Sequence, residues 1–165
     1  MQSFLSEDRY SPTYNWLVLS RSPFLKKHER NPVNWLEWSE EAFDKAKREG
    51  KLVFVYIADS HCHLCALMGR DSFEDEETAQ LLNNRFICIM IDKEEHPDIA
   101  ALYLSKCQKM VGKGEGPLNV FLTSEQEILY AARYLPRESL DDGMIRFKEL
   151  ITQVYEQNDK NRDYE

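Results

Sequence analysis

Two unbroken apolar runs divide the chain. Leu52-Val53-Phe54-Val55-Tyr56-Ile57 and Phe86-Ile87-Cys88-Ile89-Met90-Ile91 show no alternation with polar residues. That is the pattern of strands covered on both faces. The segment between them, 62–83, reads as one helix. A helix also precedes the first run. Ser39 is its expected N-cap and Gly50 its stop, with Phe43, Ala46 and the stem of Lys47 as its inner face. After the second run, 97–110 reads as a helix with Ile99, Leu102, Tyr103 and the stem of Lys106 on its inner side. Lys113-Gly114-Glu115-Gly116-Pro117 is a loop. Segments 118–123 and 128–134 are strands joined by a short polar turn, Ser124-Glu125-Gln126, as expected of an antiparallel hairpin. Segment 137–157 reads as a last helix.

The flanks differ. Residues 1–33 lack periodicity and hold Pro12, Pro23 and Pro32, so they read as an N-terminal arm. Tyr10, Tyr14, Trp16 and Phe24 are its candidates for packing onto the body. Residues 34–157 form the domain and 158–165 a polar tail. Two parallel strands joined through a helix, then a hairpin and a final helix, resemble the thioredoxin-like arrangement. The fold class expected is therefore α/β, a mixed central sheet flanked by helices, with an N-terminal extension.

The strongest chemical signal is Cys62-His63-Leu64-Cys65, which follows the first apolar run and opens a helix. A helix start offers free N–H groups and the positive end of the macrodipole, which favour a thiolate at the first cysteine. The second cysteine lies one turn on and can attack a mixed disulfide formed at the first. Cys62 and Cys65 are thus the expected nucleophile and resolving thiol. His63, in the first turn, is the candidate that tunes Cys62; its alternative is a solvated histidine, which is the favoured reading for His61. Asp59, Asp71 and Glu74 would oppose the thiolate if they lay near it. Zinc is the competing chemistry, with His61, His63, His96 and Cys107 as further donors. Redox is favoured, because the chain has no second Cys-x-x-Cys and no spaced histidine pair; no metal and no cofactor are expected. Cys88 sits inside an apolar run and reads as a buried small hydrophobe, and Cys107 as either surface or core.

Pro117 immediately precedes the third strand. In thioredoxin-like folds a cis-proline at this place faces the Cys-x-x-Cys and keeps a backbone edge open for a substrate peptide. The resemblance therefore implies a cis Gly116–Pro117 bond and makes Gly116 and Pro117 substrate-binding candidates; the alternative is an ordinary trans proline entering a strand.

Charge narrows the partners. The 165 residues carry a formal net charge of -8, which argues against nucleic acid or an anionic membrane as a partner. The N-terminal stretch has Glu7, Asp8 and Arg9 and no apolar signal core, and no run is long enough to span a bilayer, so a cytoplasmic location is expected.

Further motifs give a more specific resemblance. They run from Ser22-Pro23-Phe24-Leu25, His28 and Asn31-Pro32-Val33-Asn34-Trp35, through Cys62-His63-Leu64-Cys65 and Ser72-Phe73-Glu74-Asp75-Glu76. They continue with Asp92-Lys93-Glu94-Glu95-His96-Pro97-Asp98-Ile99, Gly116-Pro117-Leu118-Asn119-Val120-Phe121-Leu122-Thr123 and Tyr134-Leu135-Pro136. Together these are similar to the thioredoxin-like domain of the YyaL / spermatogenesis-associated family. Leu64 and Ala66 stand where that family usually has tryptophan and histidine, Gly116 where it has tryptophan, and Ala131-Ala132 where it has paired glycines. Larger members add a helical domain resembling sugar-processing barrels; the resemblance here covers 22–136, so no such activity is expected. The expected function is thiol–disulfide exchange on a protein or small-molecule substrate, with a reductase or oxidant as partner. The alternatives are a non-catalytic binding module on the same fold, or zinc at the same cysteines.

Overall fold

The computed structural model describes residues 14–112, 116–135 and 146–163, the last of these with side chains to 158. Its centre is a four-stranded sheet in the order β2-β1-β3-β4, formed by β1 (Leu52–Ala58), β2 (Phe86–Asp92), β3 (Leu118–Leu122) and β4 (Ile128–Ala132). β1 runs parallel to β2 and antiparallel to β3, and β3 is antiparallel to β4, so the expected hairpin is present. Every residue of β1, β2 and β3 is buried, which is why these strands read as continuous apolar runs.

The two faces sort by alternation. Phe54, Tyr56, Cys88, Met90 and Phe121 point to one core with Trp35, Phe73, Leu82 and Phe147. Val53, Val55, Ile57, Ile87, Ile89, Ile91 and Val120 point to the other. That second core is covered by α2 (Glu40–Glu49) and α5 (Pro97–Val111), through Ala42, Phe43, Ala46, Ala100, Tyr103 and Cys107. α2 keeps its expected ends. The Ser39 side chain accepts the N–H of Ala42, and Gly50 closes the helix at φ 66°. Its inner face contains Lys45 rather than Lys47, with the Lys45 amine 2.6 Å from Glu49. In α5 the inner face is Ala100, Tyr103 and Cys107 with Ile99 packed beside them, so Ile99 and Tyr103 lie where expected, while Leu102, 50% exposed, and Lys106 face outward.

The single helix expected over 62–83 is broken. α3 (His63–Met68) passes into a π-helical turn, Gly69–Phe73, and α4 (Glu76–Arg85) starts afresh. Two local causes act together. Phe73 swings inward to meet Tyr56 edge-on at 4.7 Å and Trp35 at 5.0 Å. Asp75 then recaps the chain by accepting the N–H of Thr78 at 3.0 Å. The last helix, α6 (Phe147–Asp163), continues through residues 158–163 of the segment read as a tail. Segment 136–145, where that helix was expected to begin, lies outside the described residues, as do 1–13 and Tyr10.

The N-terminal arm folds onto the body from Tyr14 onward. A 3-10 turn, Trp16–Leu19, and a short helix, α1 (Pro23–Lys26), lead to Trp35, which is fully buried. Leu36 then pairs with β2, receiving the N–H of Met90 at 3.0 Å and donating to the Cys88 carbonyl at 2.8 Å. Asn15 organises the loop between. Its side-chain amide donates to the carbonyls of His28, Asn31 and Val33, and its Oδ1 accepts the N–H of Leu17. Ser22 donates to the buried carboxylate of Asp92 at 2.8 Å and so ties the arm to the end of β2. Of the expected aromatics, Phe24 packs against the first core.

Candidate functional site

β1 ends at Ala58, and the chain turns through Asp59, whose carboxylate accepts the N–H of His61 at 2.8 Å. This turn delivers Cys62 to the head of α3 as its N-cap. The Cys62 sulfur accepts the N–H of Cys65 at 3.1 Å. Cys62 and Cys65 are joined by a disulfide, with their Cα atoms 5.2 Å apart. Cys62 is half-buried and Cys65 only 5% exposed, the asymmetry expected of an outer nucleophile and an inner partner. In the reduced state the N–H that meets the Cys62 sulfur would stabilise a thiolate there.

Beneath the pair lies Tyr56 of β1. Its hydroxyl donates to the Cys65 carbonyl at 3.1 Å, and burial pushes its ionisation well above the usual tyrosine range. It is thus a fixed hydrogen-bond donor that anchors the first turn of α3. The sequence reading missed it, although it is the only residue of the first apolar run with a polar tip.

Two clefts flank the disulfide. One, of about 480 Å³, is lined by His61, His63, Leu64, Lys93, Gly116 and Arg133 along with both cysteines. The other, of about 630 Å³, opens toward the arm and includes Phe24, His28 and Tyr56 with the same cysteines. Gly116 is therefore brought beside the Cys-x-x-Cys. A side chain at Gly116 would stand 3.1 Å from Cδ1 of Leu64, and its φ of 107° favours glycine. That conformation also answers the expectation for the next bond. No peptide bond among the described residues is cis, so Gly116–Pro117 is trans, contrary to the sequence reading. The chain direction that a cis bond would have supplied comes from the positive φ of Gly116. Pro117 is buried at the start of β3. Asn119, two residues on, donates to the Arg133 carbonyl at 2.7 Å and approaches the Met68 sulfur at 3.5 Å, linking α3 to the end of β4.

The histidines separate. His63 is exposed at the first position of α3 and lines the smaller cleft. His61 turns to Glu94, 3.1 Å from its carboxylate. Asp59 lines both clefts and Glu74 the larger, while Asp71 pairs with Arg70 at 3.1 Å. Among the described residues no three His, Cys, Asp or Glu side chains gather as a metal site. Cys88 and Cys107 are buried free thiols, so Cys107 is core, and burial raises the ionisation of both. No helix among the described residues is long and apolar enough to cross a membrane.

Known proteins are similar to this chain in sequence or in fold. The mouse spermatogenesis-associated protein 20 is 39% identical over 153 residues, which cover 92% of this chain. The chain spans about a fifth of that relative's length, 19%. A thioredoxin from Thermus thermophilus superposes with a TM-score of 0.56 at 21% identity, over 76% of this chain and 86% of its own. A disulphide isomerase from Xylella fastidiosa Temecula1 gives 0.54 at 16% identity, over 70% and 86%. Both structures share the thioredoxin fold, as the strand order and resemblance implied. The Thioredox_DsbH family, described as a protein of unknown function, DUF255, matches residues 14–164, and the chain belongs to that family.

Proposed function

We propose that this chain is a thiol–disulfide oxidoreductase with Cys62 as nucleophile and Cys65 as resolving thiol. One observation carries the reading: a half-buried sulfur at a helix head, between two clefts, bonded to a buried partner one turn away. The Cys62 thiolate attacks a substrate disulfide, forming a mixed disulfide and releasing one substrate thiol. The Cys65 thiolate then attacks the Cys62 sulfur, releasing the second thiol and leaving the intramolecular disulfide. Two electrons pass from protein to substrate, and a dithiol reductant restores the starting state; the reverse sequence oxidises a substrate dithiol. Gly116 would border the incoming disulfide in the smaller cleft, with Pro117 buried behind it. The partners are then protein or small-molecule thiols and disulfides rather than nucleic acid or membrane, in the cytoplasm.

The test is selective alkylation. At neutral pH the fully reduced protein should take a single iodoacetamide label, on Cys62. Cys88 and Cys107 should react only after unfolding, because each is buried and its thiol is held protonated. Labelling that begins at Cys65, Cys88 or Cys107 would sink the assignment.

The role of His63 has its own measurement. If its imidazolium stabilises the sulfur, His63→Ala raises the midpoint of Cys62 thiolate formation, followed by thiolate absorbance. An unchanged midpoint would assign the stabilisation to the helix head alone.

A further inference from the structure

His28 has a placement that neither the fold nor the cysteine pair requires. Its backbone is held three ways: its N–H donates to the Leu25 carbonyl at 2.9 Å, and its carbonyl accepts from Asn31 at 3.0 Å and from Asn15 at 2.8 Å. Its ring is held on two sides. Phe24 meets it edge-on at 5.2 Å, and its Cε1 lies 3.6 Å from where a Cβ of Gly69 would be. Yet neither ring nitrogen hydrogen-bonds to a described residue.

His28 lines the larger cleft together with Cys62 and Cys65. Cys65 and Gly69 are four residues apart on one helical segment, so they stack on the same face about 5–6 Å apart. Gly69 has no side chain, and the imidazole occupies the space beside it. The ring therefore stands about one turn along the helical segment from Cys65, on the wall of the cleft they share.

Cys65 needs such a group. It is buried, and a buried thiol resists ionisation, while only its thiolate attacks. Tyr56 cannot serve, since its hydroxyl is committed to the Cys65 carbonyl. We propose that His28 is the general base that activates Cys65 for the resolving step. The inference rests on the oxidoreductase reading and goes beyond it by naming the proton acceptor. The Cys65 thiol passes its proton through water to His28. Its thiolate bonds to the Cys62 sulfur as the bond from that sulfur to the substrate breaks. The departing substrate thiolate takes the proton back from the imidazolium. No other reactant is consumed.

The charges facing the ring come from every wall. Lys27 and Arg30 lie on its own segment, Asp59 on the loop after β1, and Arg70, Glu74 and Glu76 on the helical segments opposite. Burial, with a smaller effect from Lys27, holds His28 below the usual imidazole range, so the proton-accepting form is present at neutral pH.

The experiment uses reduced protein mixed with one equivalent of dithiobis(nitrobenzoate), followed by stopped-flow absorbance over a range of pH. The first nitrothiolate released reports attack by Cys62 and the second reports resolution by Cys65. His28→Gln should leave the first release unchanged and slow the second about tenfold or more at pH 7. The gap should close as pH rises through the thiol's own ionisation. In the unmodified protein the second release should follow an ionisation below the ordinary imidazole range, a readout that needs no variant. The proposal is overturned if the second release follows the thiol alone, if His28→Gln slows both releases equally, or if Asp59→Asn produces the loss instead. Absence of any first release would overturn the oxidoreductase reading, and this proposal with it.

Discussion

Cys62→Ser reduces disulfide exchange with insulin or glutathione disulfide to the uncatalysed rate, whereas Cys65→Ser accumulates a covalent mixed disulfide. The difference follows from position. Cys62 is the half-buried sulfur reached from both clefts, so without it no substrate bond can form. Cys65 is buried and acts only on a bond already made at Cys62. Mass spectrometry of the Cys65→Ser protein after exposure to glutathione disulfide should show one added glutathione, on Cys62. Equal loss of exchange in both variants with no trapped adduct would favour a binding module that keeps the fold without the chemistry.

Trp35→Ala should cost about 3–5 kcal/mol of stability, read from urea unfolding of the oxidised protein. Its ring is fully buried among Phe54 at 5.9 Å, Tyr56 at 6.1 Å and Phe73 at 5.0 Å, and its indole N–H donates to Asn31 at 3.2 Å. A loss of that size is a large share of the roughly 5–15 kcal/mol available to a domain. It would also reach the site, because Tyr56 anchors the Cys65 carbonyl and Asn31 belongs to the loop that presents His28. Trp35→Phe should lose less, since part of the ring packing survives. A cost below about 1 kcal/mol for Trp35→Ala would mean that this ring is peripheral to the core.

The elements that were legible in the sequence are those whose signal is local. Leu52–Ala58 and Phe86–Asp92 are covered on both faces, so each left an unbroken apolar run. Ser39 and Gly50 cap α2 with side-chain and backbone chemistry that can be read one residue at a time. The Cys62–Cys65 spacing likewise encodes its own geometry. The misses depend on distant partners. Residues 102–104, Leu-Tyr-Leu, offer more than one apolar face to α5, and only the sheet beneath selects Tyr103 over Leu102. The break before α4 is hidden in the acidic stretch 74–77, where Asp75 looks like any other surface charge until its N-cap bond to Thr78 is seen. The Gly116–Pro117 bond was read from the fold, while the backbone turn is made by Gly116 itself. His28 entered only as one letter of a family motif. Its place beside Gly69 arises from long-range ties, Asn15 to the 28–33 loop and Ser22 to Asp92, which no periodicity reports.

The central claim is that the Cys62–Cys65 pair exists to exchange electrons rather than to brace the fold or hold a metal. Its most direct test is the reduction potential of that couple, by equilibration against thiol–disulfide buffers with zinc content assayed on the same sample. A working pair should titrate as one two-electron couple between about -120 and -270 mV, with no stoichiometric metal. A potential below about -300 mV, or a reduced protein that holds one zinc and forms no intramolecular disulfide, would contradict it.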